Sequence, residues 1–385
     1  MASSESPANG PRLTQRQRAA GEPATPDDPD RELPYLDLDA LQQRARDLLP
    51  ADVFDYYAGG SGRETTMTEA PAAWRAWRLR PRMLRGVTEV QLGTTLLGTE
   101  VATPIGVAPW AYQGMAHPDG ERATARAAAA SGALMTVSTS ANTSLEDVAA
   151  VTPAGPRWFQ LYRLHSPAHT DDLARRAGDA GYSALVLTVD LPVLGRRLRD
   201  LRNDFALPAG LLLANHPRVE GTQPPLQAVE TAGWTFADIE RFADVSGLPV
   251  VVKGVLRGDD AARCVSAGAS AVWVSTHGGR QADPAIASAE ALPEIVEAVA
   301  ADAEVYADGG IRAGSDVLTA LALGARAVFL GRPTAWGLAT GGADGVARVI
   351  GGLTEELAHT MALCGLDDVR AVPRDTVVRA PWASH

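Results

Sequence analysis

The sequence predicts an α/β protein built as a (β/α)8 TIM barrel, with a short helical N-terminal segment and a disordered N-terminal extension. Three observations carry this reading. Short β-rich runs alternate eight times with Ala-rich segments of helical period. Each run is apolar on both faces, as in a parallel sheet covered by helices. The alternation fills residues 102–365, close to the ~250 residues over which such a barrel usually closes.

Taken in order, residues 1–34 are rich in Pro, Ser, Gly and charge and read as a flexible extension, without the apolar core of a secretory signal. Residues 35–101 form the helical segment and barrel-closing strands. There "LPYLDLDALQQRARDLLPADVFDYYAGGSG" has the apolar spacing of two short helices ending at the glycines of 59–62, and a small strand pair is expected within 88–101. The eight barrel runs are "PIGVAP", "LMTVST", "RWFQLY", "ALVLTVD", "PVVVKG", "AVWVST", "EVYADGG" and "AVFLGRP". Between them lie helical segments such as "HPDGERATARAAAASG" and "TSLEDVAAV", the latter opening on a capping box of Thr143 and Glu146. One connection, 191–232, is long, holds proline and glycine and lacks periodicity. Connections beyond ~12–15 residues are usually functional or disordered, so a mobile loop over the active face is expected. Residues 366–385 read as a C-terminal tail.

Composition excludes some partners. At 46% apolar and 21% charged, the 385-residue chain has the balance of a soluble globular enzyme. A formal net charge of −11 gives no bulk attraction to nucleic acid. No run of 18 apolar residues occurs, so no membrane span is expected. Cys264 and Cys364 supply neither a C-x-x-C spacing nor a disulfide framework, so the expected setting is the cytoplasm, and no metal is expected.

In such a barrel the active site sits at the C-terminal ends of the strands. The run ends give Pro109, Trp110 and Ala111; Ser138; Gln160 with Tyr162; Thr188 with Asp190; Lys253; His277 with Arg280; Asp308 with Arg312; and Gly331 with Arg332. Any one of these alone reads as a structural or solvated residue. A polar ring at the ends of apolar strands reads as a site. "ADGGIRAGSD" and "LGRP" follow the seventh and eighth runs, where Gly309, Gly310 and Gly331 let backbone N–H groups approach an anion beside Arg312 and Arg332. No G-x-G-x-x-G follows a strand, so the phosphate belongs to a flavin mononucleotide or a phosphorylated substrate and not to a nicotinamide.

"VSTHGGRQADP", "VKGV", "ADGGIRAGSDVLTALALGARAVFLGRP", "LTVDLPVLGRR" and "FDYYAGGSG" resemble the signature blocks of the FMN-dependent α-hydroxy-acid oxidases and dehydrogenases. The resemblance runs from about residue 35 to about 370, and "GRRLRDLRNDFALP" is most similar to the hydroxymandelate oxidase branch. It implies oxidation of a 2-hydroxy acid by FMN, with O2 the expected acceptor and a homotetramer or larger assembly. Arg197 and Arg280 would clamp the substrate carboxylate, a match of planar guanidinium to carboxylate. Tyr56 would bond that carboxylate and Tyr162 the substrate hydroxyl. His277 would be the base, held by Asp190. Lys253 would face the flavin N1–C2 edge, where negative charge develops. Gln160, Thr188, Ser138 and Ser275 would bond the cofactor, and Pro109, Trp110 and Ala111 would pass along its face. Asp308 to Arg312 and Gly331 to Arg332 would complete its site.

Two positions depart from the family pattern. Thr276 stands where Asn is usual before the histidine, and Ser140 stands where glycolate oxidases carry Trp. The small residue leaves room for an aromatic substrate, mandelate or 4-hydroxymandelate. Three alternatives remain: a lactate- or glycolate-type enzyme, an FMN-dependent isomerase, and a non-catalytic flavin-binding barrel. The pairing of His277 with Arg280 is not expected in the isomerases.

Overall fold

The computed structural model describes residues 35–216 and 234–380. The expected extension 1–34 and the part of the long connection from 217 onward lie outside them.

The barrel strands are β1 (Ile105–Val107), β2 (Met135–Ser138), β3 (Arg157–Leu161), β4 (Leu185–Thr188), β5 (Val250–Val255), β6 (Ala271–Val274), β7 (Glu304–Asp308) and β8 (Ala327–Leu330). They form one closed, parallel barrel in chain order, with β8 returning to β1 where Val328 faces Ile105. β-branched residues fit these pleated, doubly covered strands, and burial is nearly complete along all of them. The interior is a packed core. Trp158, Trp273, Tyr306 and Phe329 meet there, the Trp273 and Phe329 rings 4.0 Å apart. The expected strand pair is narrower than 88–101: Thr94–Leu96 runs antiparallel to Thr99–Val101. Leu96 and Val101 join the interior cluster and close one end of the barrel.

The two expected N-terminal helices are Leu38–Leu48, capped by Asp37 accepting from the Ala40 N–H at 2.9 Å, and Ala51–Ala58. A third, Thr65–Arg75, was not expected; it carries Pro71, a residue that usually reads as a helix stop. The capping box is corrected by one residue. Ser144, not Thr143, caps the helix Leu145–Val151, accepting from the Asp147 N–H at 3.1 Å. Thr143 instead bonds the buried carboxyl of Glu121. After β8 comes Arg332–Leu363, broken at Gly341 and Gly342. The chain then returns so that Val377–Arg379 pairs with Trp77–Leu79. Among the described residues no helix is long and apolar enough to cross a membrane, and no cluster of side chains could hold a metal ion.

Candidate active site

A cavity of about 1070 Å³ opens at the C-terminal ends of the strands. That is room for a cofactor and a small ligand together.

Its chemistry starts where β6 ends. The chain turns through His277, Gly278 and Gly279 with φ of 55°, 64° and 73°. This left-handed region is uncommon for histidine, and such strain gathers at functional sites. Gly279 has no alternative, because a Cβ there would lie 2.6 Å from the Met67 nitrogen. The His277 N–H donates to Ser275 Oγ at 3.0 Å. Its Nδ1 lies 2.9 Å from Asp190 Oδ1 and its Nε2 3.3 Å from the Tyr162 hydroxyl. A carboxylate at Nδ1 keeps the proton there and leaves Nε2 as the acceptor beside the cavity. Burial lowers the His277 pKa, outweighing the Asp190 charge that raises it, so the ring is neutral near pH 7. Burial alone would raise Asp190, but His277 and Lys253 together pull it below the usual range and keep it ionised. Burial pushes the Tyr162 hydroxyl well up, so it stays protonated and able to donate.

Arg280 is held from behind. Its Nη1 donates to the carbonyls of Tyr56 (2.6 Å) and Gly59 (2.8 Å), and the guanidinium lies 4.8 Å from the Tyr56 ring centroid. Burial first, then repulsion from Arg197, brings its pKa to about 10, so it remains charged at neutrality. Arg197 lies on the same cavity at the N-cap of the helix Leu198–Arg202, its Nε buried without a protein partner. Two guanidinium groups and a neutral imidazole thus converge. The arrangement can hold a carboxylate and take a proton from a neighbouring atom.

Lower in the site, Ser138 Oγ and the Thr139 N–H both donate to Gln160 Oε1 at 3.2 Å. The Gln160 Nε2 and Thr188 Oγ1 are buried with no protein partner. Lys253 Nζ donates to Ser275 Oγ at 2.9 Å and lies 3.5 Å from Asp308 Oδ2, while Ser275 donates to Asp308 Oδ1 at 2.7 Å. Pro109, Trp110 and Ala111 form the wall beyond β1. Gln160, Thr188, Asp190 and Ser275 do not line the cavity; they stand at the strand ends beside it.

At the β7–β8 corner, Gly309 and Gly310 have φ of 87° and 84°, and a Cβ on Gly310 would come 2.5 Å from the Ala70 carbonyl carbon. Arg312 lines this corner, and Gly331 leads into the N-terminus of the helix Arg332–Leu363. Arg332 has a second job that sequence did not suggest. Its Nε, Nη1 and Nη2 donate to the carbonyls of Tyr57 (3.0 Å), Gly278 (2.9 Å) and Gly59 (2.8 Å), tying three segments together. Burial, Arg280 and Arg312 push its pKa down to about 9. Unpartnered donors in the site, a glycine corner and a helix N-terminus fit a polar-edged ring system carrying a phosphate, which is the make-up of FMN.

Sequence reasoning missed Tyr57, Tyr112, Asp200 and Phe205, which also line the cavity. The Tyr57 hydroxyl donates to the Tyr112 carbonyl at 2.6 Å, and Phe205 stacks on Tyr56 at 4.6 Å. Asp200 and Phe205 lie within "GRRLRDLRNDFALP", and Tyr57 follows Tyr56, so position was the available signal. Ser140 lines the cavity with its hydroxyl bonded to that of Tyr112. The Thr276 hydroxyl is buried without a partner.

The FMN-dependent dehydrogenase family matches residues 45–379. The L-lactate oxidase of Nostoc sp. is 48% identical over 88% of this chain and 96% of its own length. The 4-hydroxymandelate oxidase of Amycolatopsis orientalis is 46% identical over 88% of this chain and 97% of its own. Among solved structures, a mandelate oxidase variant with (S)-mandelic acid superposes with a TM-score of 0.83 at 46% identity, covering 88% of this chain and 97% of that one.

Proposed function

The chain belongs to the FMN-dependent dehydrogenase family, and from that premise we propose that it oxidises an (S)-2-hydroxy acid to the 2-oxo acid, passing two electrons to O2 to give H2O2. The substrate we infer is mandelate or 4-hydroxymandelate. The observation that carries the chemistry is the neutral His277, oriented by Asp190 at 2.9 Å and opening its Nε2 beside Tyr162 and Arg280.

When bound, FMN supplies the two-electron acceptor. Gln160, Thr188, Ser138 and Ser275 would hold its ring, Lys253 would face the edge where charge develops, and Gly309, Gly310, Arg312, Gly331 and Arg332 would hold its phosphate, with Asp308 anchoring Lys253 and Ser275. Arg197 and Arg280 bind the substrate carboxylate, with Tyr56 adding a hydrogen bond. Tyr162 donates to or accepts from the substrate hydroxyl. His277 Nε2 takes the proton as the C–H pair of electrons leaves, and Asp190 stabilises the imidazolium that results. Positioning these groups at buried strand ends strengthens each of them.

The aromatic substrate rests on Ser140. It leaves space on the cavity beside Tyr112, Tyr56 and Phe205, so a phenyl ring would be buried at ~25 cal/mol per Å². A panel of 2-hydroxy acids with peroxide detection tests the assignment. Mandelates should lead, and Ser140→Trp should depress kcat/KM for mandelate far more than for lactate. A second reading, lactate oxidation, is favoured by the similarity to the Nostoc L-lactate oxidase; a wild-type preference for lactate would select it. Two buried free cysteines suit a reducing cytoplasm, and the family resemblance implies a homotetramer or larger, which sedimentation would measure.

A further inference from the structure

The helix Leu198–Arg202 carries Arg197 at its N-cap, yet none of its five residues is buried. One turn of helix has no stability of its own. Ion pairs connect it to the protein instead. Arg199 Nε and Nη2 donate to the two oxygens of Glu64 at 2.8 and 2.7 Å, and its Nη1 to Asp55 at 3.2 Å. Asn203 adds a bond to the other Asp55 oxygen at 3.0 Å. The side chains of Arg199, Asp55 and Glu64 are only 21–32% exposed, and the contact with Glu64 is bidentate, the geometry in which an ion pair is worth most.

Glu64 ends a turn that also fixes the other guanidinium. The Gly59 carbonyl accepts from Arg280. The Ser61 N–H donates to the Gly279 carbonyl at 2.8 Å and the Ser61 hydroxyl to the Arg280 carbonyl at 2.6 Å. The Gly62 N–H donates to the Arg196 carbonyl at 3.0 Å. Residues 59–64 therefore lie between the two segments that bring Arg197 and Arg280 to the cavity.

We propose that Arg199 is a positioning residue: with Glu64 and Asp55 it latches the Arg197 helix to the 59–64 turn, setting the spacing of Arg197 and Arg280 over the substrate carboxylate. The proposal rests on the reading of those arginines as the carboxylate clamp. Arg199 itself does not line the cavity, so its loss should appear in binding and not in the chemical step.

The test uses the FMN-loaded enzyme and the variants Arg199→Gln, Glu64→Gln, their combination, and Arg199→Lys. Each single neutral variant should raise KM for (S)-mandelate about 3–10-fold while kcat stays within about twofold. KM for the methyl ester should move much less. The double variant should be no worse than either single one, and Arg199→Lys should recover part of the loss. Amides 196–203 should exchange hydrogen faster in the neutral variants, with FMN content unchanged. An unchanged KM, or losses that add in the double variant, would overturn the latch. If the wild type oxidises no 2-hydroxy acid, the functional reading fails separately, and hydrogen exchange alone decides the latch: unchanged exchange over 196–203 sinks it.

Discussion

At the scale of single residues the site is set by what surrounds one imidazole. Asp190 fixes the proton on Nδ1 and burial disfavours the imidazolium, so the free base is the resting form of His277. His277→Ala should keep FMN but slow single-turnover bleaching of the flavin by substrate ~10²–10⁴-fold, the usual worth of a positioned base. Near-normal bleaching would remove His277 from that role. The pH profile follows from the same shifts. As the proposed base, His277 works only when neutral, so activity should be present above its pKa and lost as pH falls through it. Because burial lowers that pKa, the acid limb of kcat/KM should lie below the ~6.5 of an ordinary histidine. Arg280, as the proposed carboxylate partner, would bind only when charged, so a second limb should descend as pH rises towards about 10. An acid limb above 7 would contradict the neutral resting ring.

At the scale of elements, the helix Thr65–Arg75 shows how a distant side chain completes a local structure. Its N-cap residue, Glu64, makes no side-chain cap, and Asp283 from the loop after β6 supplies one. Asp283 accepts from the N–H groups of Arg63 (2.9 Å) and Thr66 (2.8 Å) and from the Thr66 hydroxyl (2.8 Å). Asp283→Ala should therefore cost about 0.5–2 kcal/mol, read as a lower denaturant midpoint with FMN present; an unchanged midpoint would make the cap idle. This is also where sequence stopped being informative. The barrel strands were legible because each is a short doubly apolar run with polar residues at one end, and those ends form the candidate site. The Thr65–Arg75 helix was not, since Pro71 masks it and its cap lies 217 residues from Thr66. Thr143 and Ser144 are both good caps, and only the backbone decides between them. The pairing of Arg199 with Glu64 spans 135 residues and leaves no local pattern to find. The bracing of three carbonyls by Arg332 is equally non-local; its charge and place were readable, its partners were not.

At the scale of the molecule, the open end of the barrel gathers cations that repel one another. Burial together with Arg280 and Arg312 depresses Arg332 to about 9, and Arg280 is depressed by burial and by Arg197. The protein is thus built with unfavourable charge at the corner where a phosphate is proposed to sit, beside the positive end of the helix Arg332–Leu363. An anion there relieves the repulsion and stabilises the native state by linkage, by about 2.7 kcal/mol at a hundred times its dissociation constant. Stripping FMN should accordingly lower the melting temperature, and titrating it back should raise it with the logarithm of free FMN. Riboflavin offers the same ring without the phosphate. Losing charge-assisted hydrogen bonds worth about 1.5–3 kcal/mol each should weaken it roughly 10–100-fold or more relative to FMN. The measurement is the thermal shift of stripped protein against each flavin at matched concentrations and low salt. Arg312→Met should narrow the difference, since it removes a charge from the proposed phosphate corner and leaves the proposed ring contacts at Gln160, Thr188 and Lys253 in place. Equal stabilisation by riboflavin and FMN would move the phosphate away from Gly309, Gly310 and Gly331, and would leave the cation cluster serving the substrate carboxylate alone.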